Sequence, residues 1–173
     1  MNWIESVLFS IINKIVLKKR NMRISVNCEN KLKEYESLKL NAYICAGGVL
    51  TIGWGHTGLV DGKKIELGMS ITKTKAQELF EQDIVTVEKP LANEPFANRL
   101  SQGQWDALVS FIYNVGWDSY KKSTLRKRIN EDINHNDIPN QFMRWNKANG
   151  KILAGLTKRR EWEVEQYKGE KVK

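Results

Sequence analysis

Apolar residues recur along this chain at helical spacing in most places and in one short β-rich run. Over residues 1–21, Trp3, Ile4, Val7, Leu8, Ile11, Ile12 and Ile15 share one helical face, and Lys18, Lys19 and Arg20 follow. Glu5, Asn13 and Lys14 break the run, which is too short for a clear membrane span. The basic cluster follows the apolar run and no A-x-A site is visible, which argues against a secretory leader. The pattern predicts an amphipathic helical extension, open to docking on the body, lying on a membrane surface or anchoring in one.

Leu32, Tyr35, Leu38 and Leu40 predict a helix over 29–41, ending near Asn41. Val49, Leu50, Thr51, Ile52 and Trp54 form the β-rich run, framed by Gly47-Gly48 and by Gly53 and Gly55, and predict a hairpin. Asp61-Gly62 marks a turn, with Lys63-Lys64-Ile65 expected as a short third strand. Beyond Ser70 the pattern is helical. Thr72 and Thr74 are candidate N-caps for a stripe of Ala76, Leu79, Phe80, Ile84 and Val87, with Pro90 as its stop. Ser101 precedes a long apolar helix through Trp105, Leu108, Val109, Ile112 and Val115, closed at Gly116. Ser123 and Pro139 open further helices, Asn149-Gly150 is a turn, and Leu156 to Tyr167 is the last helix. The sum is an α+β fold: a small antiparallel sheet lobe followed by a mainly helical lobe.

Composition narrows the function classes. The chain has 173 residues, enough for one domain, here taken as 22–173 with 1–21 as an appendage. A hydrophobic share of 41% with 28% charged residues excludes a disordered chain and a polytopic membrane protein. Two cysteines, Cys28 and Cys45, exclude a disulfide scaffold, and with His56 and His135 they show no zinc-ligand spacing. The net charge of +8 favours a polyanionic partner. Nucleic acid is not expected, because Arg126-Lys127-Arg128 and Lys158-Arg159-Arg160 sit on helix faces without a recognisable binding motif.

The segment Glu36 to His56 carries the candidate chemistry. Glu36 stands near a helix end beside the hairpin, where Tyr35, Leu38 and Trp54 can desolvate its carboxyl. A carboxyl kept protonated is what a general acid needs to hand a proton to a leaving oxygen, although a glutamate at a helix end is usually just a surface residue. Cys45 and Thr51 follow nine and fifteen residues later.

This spacing resembles the phage-type lysozyme family of endolysins, whose signature is Glu, eight residues, Asp or Cys, five residues, Thr. Here it is Glu36, Cys45 and Thr51, continued by T-I-G-x-G-H from Thr51 to His56. The likeness continues through Ile71 to Asp83, Trp105 to Phe111, Asn114-Val115-Gly116, Ser123-Thr124-Leu125, Trp145 and Gly155 to Arg160. It implies a lysozyme-like fold with the active-site cleft between the two lobes, and hydrolysis of the β-1,4 bond between N-acetylmuramic acid and N-acetylglucosamine in peptidoglycan.

By resemblance, Glu36 is the acid, Cys45 takes the second acidic position, and Thr51 orients a water or the sugar. Trp54, Asn114, Ser123 and Thr124 are the implied substrate positions. Arg160 is the implied arginine that holds the acid, with Arg159 as the alternative, and His56 and Asp83 an implied structural ion pair. Neither a metal nor an organic cofactor is expected. Peptidoglycan is the expected partner, with an anionic membrane surface as a second one for residues 1–21, and a monomer is expected. The enzyme would be made in a host bacterial cytoplasm and act in the periplasm or cell wall. A Cys28–Cys45 disulfide would cage the catalytic thiol, but two free thiols are the preferred reading.

Overall fold

Ser25 opens the first helix of the computed structural model, which describes residues 22–45, 47–148 and 150–169. The amphipathic segment 1–21 lies outside them. The Ser25 hydroxyl accepts from the Cys28 N–H and starts α1 (Val26–Glu36), with Cys28 and Leu32 facing the core. Asp106 ties this start to the body, accepting from the Ser25 N–H at 3.0 Å and its hydroxyl at 2.5 Å.

The helix stops at Glu36 rather than near Asn41. Ser37 adopts φ 52°, its N–H donates to the Lys33 carbonyl, and the chain turns into strand β1 (Lys39–Ile44). Strand pairing thus captures Leu40, which the helical count had claimed. β1 runs antiparallel to β2 (Leu50–Gly53), with Tyr43 opposite Thr51 and an irregularity between Lys39 and Tyr43.

The expected third strand is absent from the described residues. Asp61 and Gly62 both have positive φ, and their tight turn pairs only Val60 with Lys63. Ile65 is still buried, in a small cluster with Ile52, Val60 and Leu79.

Helix α2 (Lys73–Leu91) starts on a Thr72 cap and buries Ala76, Leu79, Phe80, Ile84 and Val87. It passes Pro90 by one residue. Buried Leu91 and the bond from the Ala92 N–H to the Glu88 carbonyl hold the last turn despite the missing donor. A 3₁₀ turn at Ala97–Arg99 leads to α3 (Gln102–Val115), which opens on a Ser101–Gln104 capping box. Every residue from Gln104 to Ile112 is buried, so α3 is the axis of the helical lobe.

Short helices α4 (Trp117–Lys121), α5 (Thr124–Glu131) and α6 (Ile138–Met143) wrap that axis. A two-residue hairpin, β3 (Lys147–Ala148) with β4 (Lys151–Ile152), leads into α7 (Ala154–Lys168). α7 lies against α3 so closely that a Cβ on Gly103 would meet the Gln166 carbonyl oxygen at 2.3 Å. The aromatic centre is Phe111, edge-on to Phe142 at 5.3 Å and to Trp145 at 5.5 Å. No described helix is long and apolar enough to cross a membrane.

Candidate active site

Glu36 is the last residue of α1, and its carboxyl points back across the fold to α7. Arg159 Nη1 donates to Glu36 Oε1 at 2.6 Å. The Glu36 side chain is 23% exposed, so it is neither sealed in the core nor free in bulk solvent. Gly55, at φ +88°, follows the hairpin, and a Cβ there would stand 3.3 Å from Glu36 Oε2. Glycine lets this backbone approach the carboxyl, in a conformation that side chains seldom adopt.

The hairpin supplies the other two groups. The Cys45 N–H donates to the Val49 carbonyl and its own carbonyl accepts from Gly48, which fixes a tight connection after β1. Thr51 is buried in β2 and its hydroxyl donates to the Val49 carbonyl at 3.0 Å. Backbone hydrogen bonds from Val49 and Gly47, then the Thr51 hydroxyl, lower the pKa of the Cys45 thiol from its ordinary value. Anion-stabilising contacts of this kind favour thiolate. Tyr43, paired with Thr51 across the hairpin, feels both Cys45 and Glu36. Its pKa is raised, first by burial and then by the charges of Cys45 and Glu36.

The arginine contact departs from the expectation. Arg159, not Arg160, meets Glu36. Successive helical residues point about 100° apart, and α7 turns Arg160 inward to Glu163, to Asn114 Oδ1 at 3.0 Å and over the Phe111 ring. That leaves Arg159 on the face toward α1.

Trp54 is also placed differently from the expectation. Its indole is buried, edge-on to Phe80 at 5.9 Å with Lys33 Nζ over the ring, and its carbonyl accepts from the Tyr113 hydroxyl. Positive φ at Gly53 and Gly55 turns this residue into the core rather than into a cleft. It is a wall beneath the site and has no sugar-stacking face.

Asn114 is exposed, but its amide oxygen is occupied by Arg160. Ser123 is the N-cap of α5, accepting from the Arg126 N–H, and exposed Thr124 follows it. Both line a hollow of about 460 Å³ with Lys121, Lys122, Arg126 and Lys127. His56 Nδ1 and Asp83 lie 2.9 Å apart, joining the loop after β2 to α2. Cys28 is buried in α1 with its S–H toward the Asp106 carbonyl, and burial above all raises its pKa. Cys28 and Cys45 are both free.

Sequence reasoning assigned no role in the site to Tyr43, Ser110 or Glu163, and named Gly55 only as a glycine framing the hairpin. The one signal available for Glu163 was its spacing, three and four residues after two arginines on one helix.

A carboxyl, a thiol and a hydroxyl thus stand on α1 and the hairpin beside it. The family model of phage lysozyme matches residues 33–163. The endolysin of Salmonella phage P22 is 39% identical over 127 residues, covering 73% of this chain and 86% of that protein. The solved structure of a variant P22 lysozyme is 35% identical with a TM-score of 0.69, over 84% of this chain and 98% of that one. The muramidase domain of SpmX from Asticaccaulis excentricus is 29% identical with a TM-score of 0.68, over 85% of this chain and 98% of that one. The chain belongs to the phage lysozyme family. It is a lysozyme, a glycoside hydrolase that lyses peptidoglycan.

Proposed function

We propose that Glu36 is the general acid of this lysozyme and that Cys45 and Thr51 serve the opposite side of the scissile bond. The observation that carries this reading is the Glu36 carboxyl, held at 2.6 Å by Arg159 and facing the hairpin that bears the thiol and hydroxyl. The bond from the anomeric carbon of N-acetylmuramic acid to the bridging oxygen breaks as that oxygen takes the Glu36 proton. The N-acetylglucosamine side leaves as an alcohol. Positive charge develops on the sugar ring, and a Cys45 thiolate stabilises it or steers the attacking water, with Thr51 orienting that water or the sugar. The water adds its oxygen to the anomeric carbon as the new hydroxyl and gives its other proton to solvent, from which the Glu36 carboxylate regains one.

Residues 22–173 form the catalytic domain in this reading. Its support is the packing of Met22 into the core and the bond from the Ile24 N–H to Glu88 Oε1 at 2.7 Å. Synthesis in the host cytoplasm and action on the periplasmic wall accord with a charge of +8 meeting an anionic polymer.

Digestion of purified peptidoglycan, with identification of the new reducing end, tests the proposal. Glu36→Gln is expected to lower kcat/KM by at least about 10³-fold while the folded state survives. Cys45→Asp is expected to retain activity and Cys45→Ala to lose most of it. Undiminished lysis by Glu36→Gln overturns the assignment.

A further inference from the structure

Behind the acid lies a buried set of charges that the reaction outlined above does not use. Glu163 on α7 is fully buried, as is the Arg160 side chain, while Arg159 is 3% exposed. Glu163 Oε1 accepts from the Ser110 hydroxyl of α3 at 2.7 Å and from Arg160 Nη2 at 2.8 Å. Arg160 Nε lies 2.8 Å from Glu163 Oε2, and Arg159 Nε lies 3.5 Å from Glu163 Oε1. Arg159 also donates from Nη2 to the Ser110 carbonyl at 2.9 Å and stacks over the Tyr35 ring. One guanidinium is therefore fixed between two carboxylates, one facing the hairpin and one sealed in the core.

We propose that Glu163 is a positioning residue: it anchors Arg159 and offsets its charge, so that Glu36 is held in place without being stripped of its proton. The inference rests on Glu36 being the acid.

A cation at 2.6 Å by itself favours the ionised carboxylate, which is the wrong form for proton donation. Burial raises the Glu163 pKa and the two arginines and the Ser110 hydroxyl pull it back; as a carboxylate it leaves, against Arg159 and Arg160, one net positive charge facing Glu36. The other titratable groups around the cluster are Tyr35, Cys28 and Glu34 on α1, Tyr43 on β1 with Cys45 after it, Asp83 and Glu88 on α2, and Asp106 and Tyr113 on α3. Burial raises the pKa of Tyr35, Cys28, Tyr43 and Tyr113, so these four are neutral near pH 7. Burial also pulls Arg160 down to about 10, which leaves it charged near pH 7. Cys45, Glu34, Asp83, Glu88 and Asp106 are the same in every variant below, so the differences between variants turn on three side chains of α7.

The test is the alkaline limb of kcat/KM against pH, which reports loss of the acid's proton in the free enzyme. It is measured with the full chain on peptidoglycan. Glu163→Gln leaves two net positive charges facing Glu36 and moves the limb to lower pH, by on the order of one unit. Arg160→Met leaves none and moves it to higher pH. The double variant Arg160→Met/Glu163→Gln restores one and returns the limb to near its wild-type position.

A merely structural role lowers kcat with the limb fixed, or moves both single variants the same way, and either result overturns the proposal. Should Glu163→Gln fail to fold, Arg160→Met against the double variant decides: an upward shift that the second change reverses supports the proposal, and coincident limbs overturn it. Failure here is separable from failure of the underlying reading. An active Glu36→Gln defeats the latter, whereas an inactive Glu36→Gln with fixed limbs defeats only the inference about Glu163.

Discussion

The hairpin lobe and the helical lobe divide the active site between them, and they are built to different standards. The helical lobe buries Trp105, Phe111, Tyr120 and Phe142 almost completely around α3. The hairpin lobe rests on four buried residues, Ile52, Val60, Ile65 and Leu79, while Ile44, Val49, Leu59 and Leu67 are exposed. The acid takes its fixed geometry from the first lobe through Arg159. The thiol and the hydroxyl sit on the second, held by a hairpin connection and a few backbone bonds. A deep core immobilises the proposed acid, and a shallow sheet carries the two groups proposed to serve the other side of the bond.

The largest expected effect is on the helical side of this contrast. Phe142→Ala, which leaves a void against Phe111 and Tyr167, is expected to cost about 3–5 kcal/mol in urea unfolding. Ile65→Ala in the hairpin lobe is expected to cost about 2 kcal/mol, at the low end for such truncations, because so small a cluster can collapse around the gap. Equal costs would remove the distinction between the lobes.

Gly55→Ala tests the junction. At φ +88° and 3.3 Å from Glu36 Oε2, the added methyl is expected to cost about 1–2 kcal/mol and to lower kcat by about tenfold or more. A loss of stability with unchanged turnover would show that the close approach does not help place the acid.

The smallest effect is a pH dependence. The Asp83 carboxylate raises the His56 pKa above its ordinary value of 6.5. The folded state then holds the proton more tightly than the unfolded chain. The stabilisation is complete below the unfolded value and drains away as pH rises through the raised one. Urea midpoints between pH 5 and 9 are expected to fall across that window in the wild type and to stay flatter in Asp83→Asn.

The sequence made the helices legible because their burial follows a 3.6-residue period and their caps are side chains: Thr72, Ser101 and Ser123 all accept from the expected backbone donors. The Glu36, Cys45 and Thr51 spacing was legible through the family resemblance, because a glutamate at a helix end is by itself usually a surface residue. What escaped depended on distant packing. Ser37 leaves the helical region without a glycine to announce it, so α1 was read five residues too long. Trp54 was expected in the cleft, because nothing local says that two flanking glycines turn it inward. Arg159 and Arg160 are adjacent and chemically identical. Only the seating of α7 between α1 and α3 decides which of them meets the acid, and that seating is a property of the whole fold.

The contact at Gly103 gives that seating a hidden control. With only a hydrogen between the α3 backbone and the Gln166 carbonyl, even one methyl group there must wedge the two helices apart. The helix being pushed also carries both arginines, so a change far from any sugar would loosen the grip on the proton donor. Catalytic strength in this enzyme is therefore open to adjustment by spacing alone, with every reacting group left chemically intact.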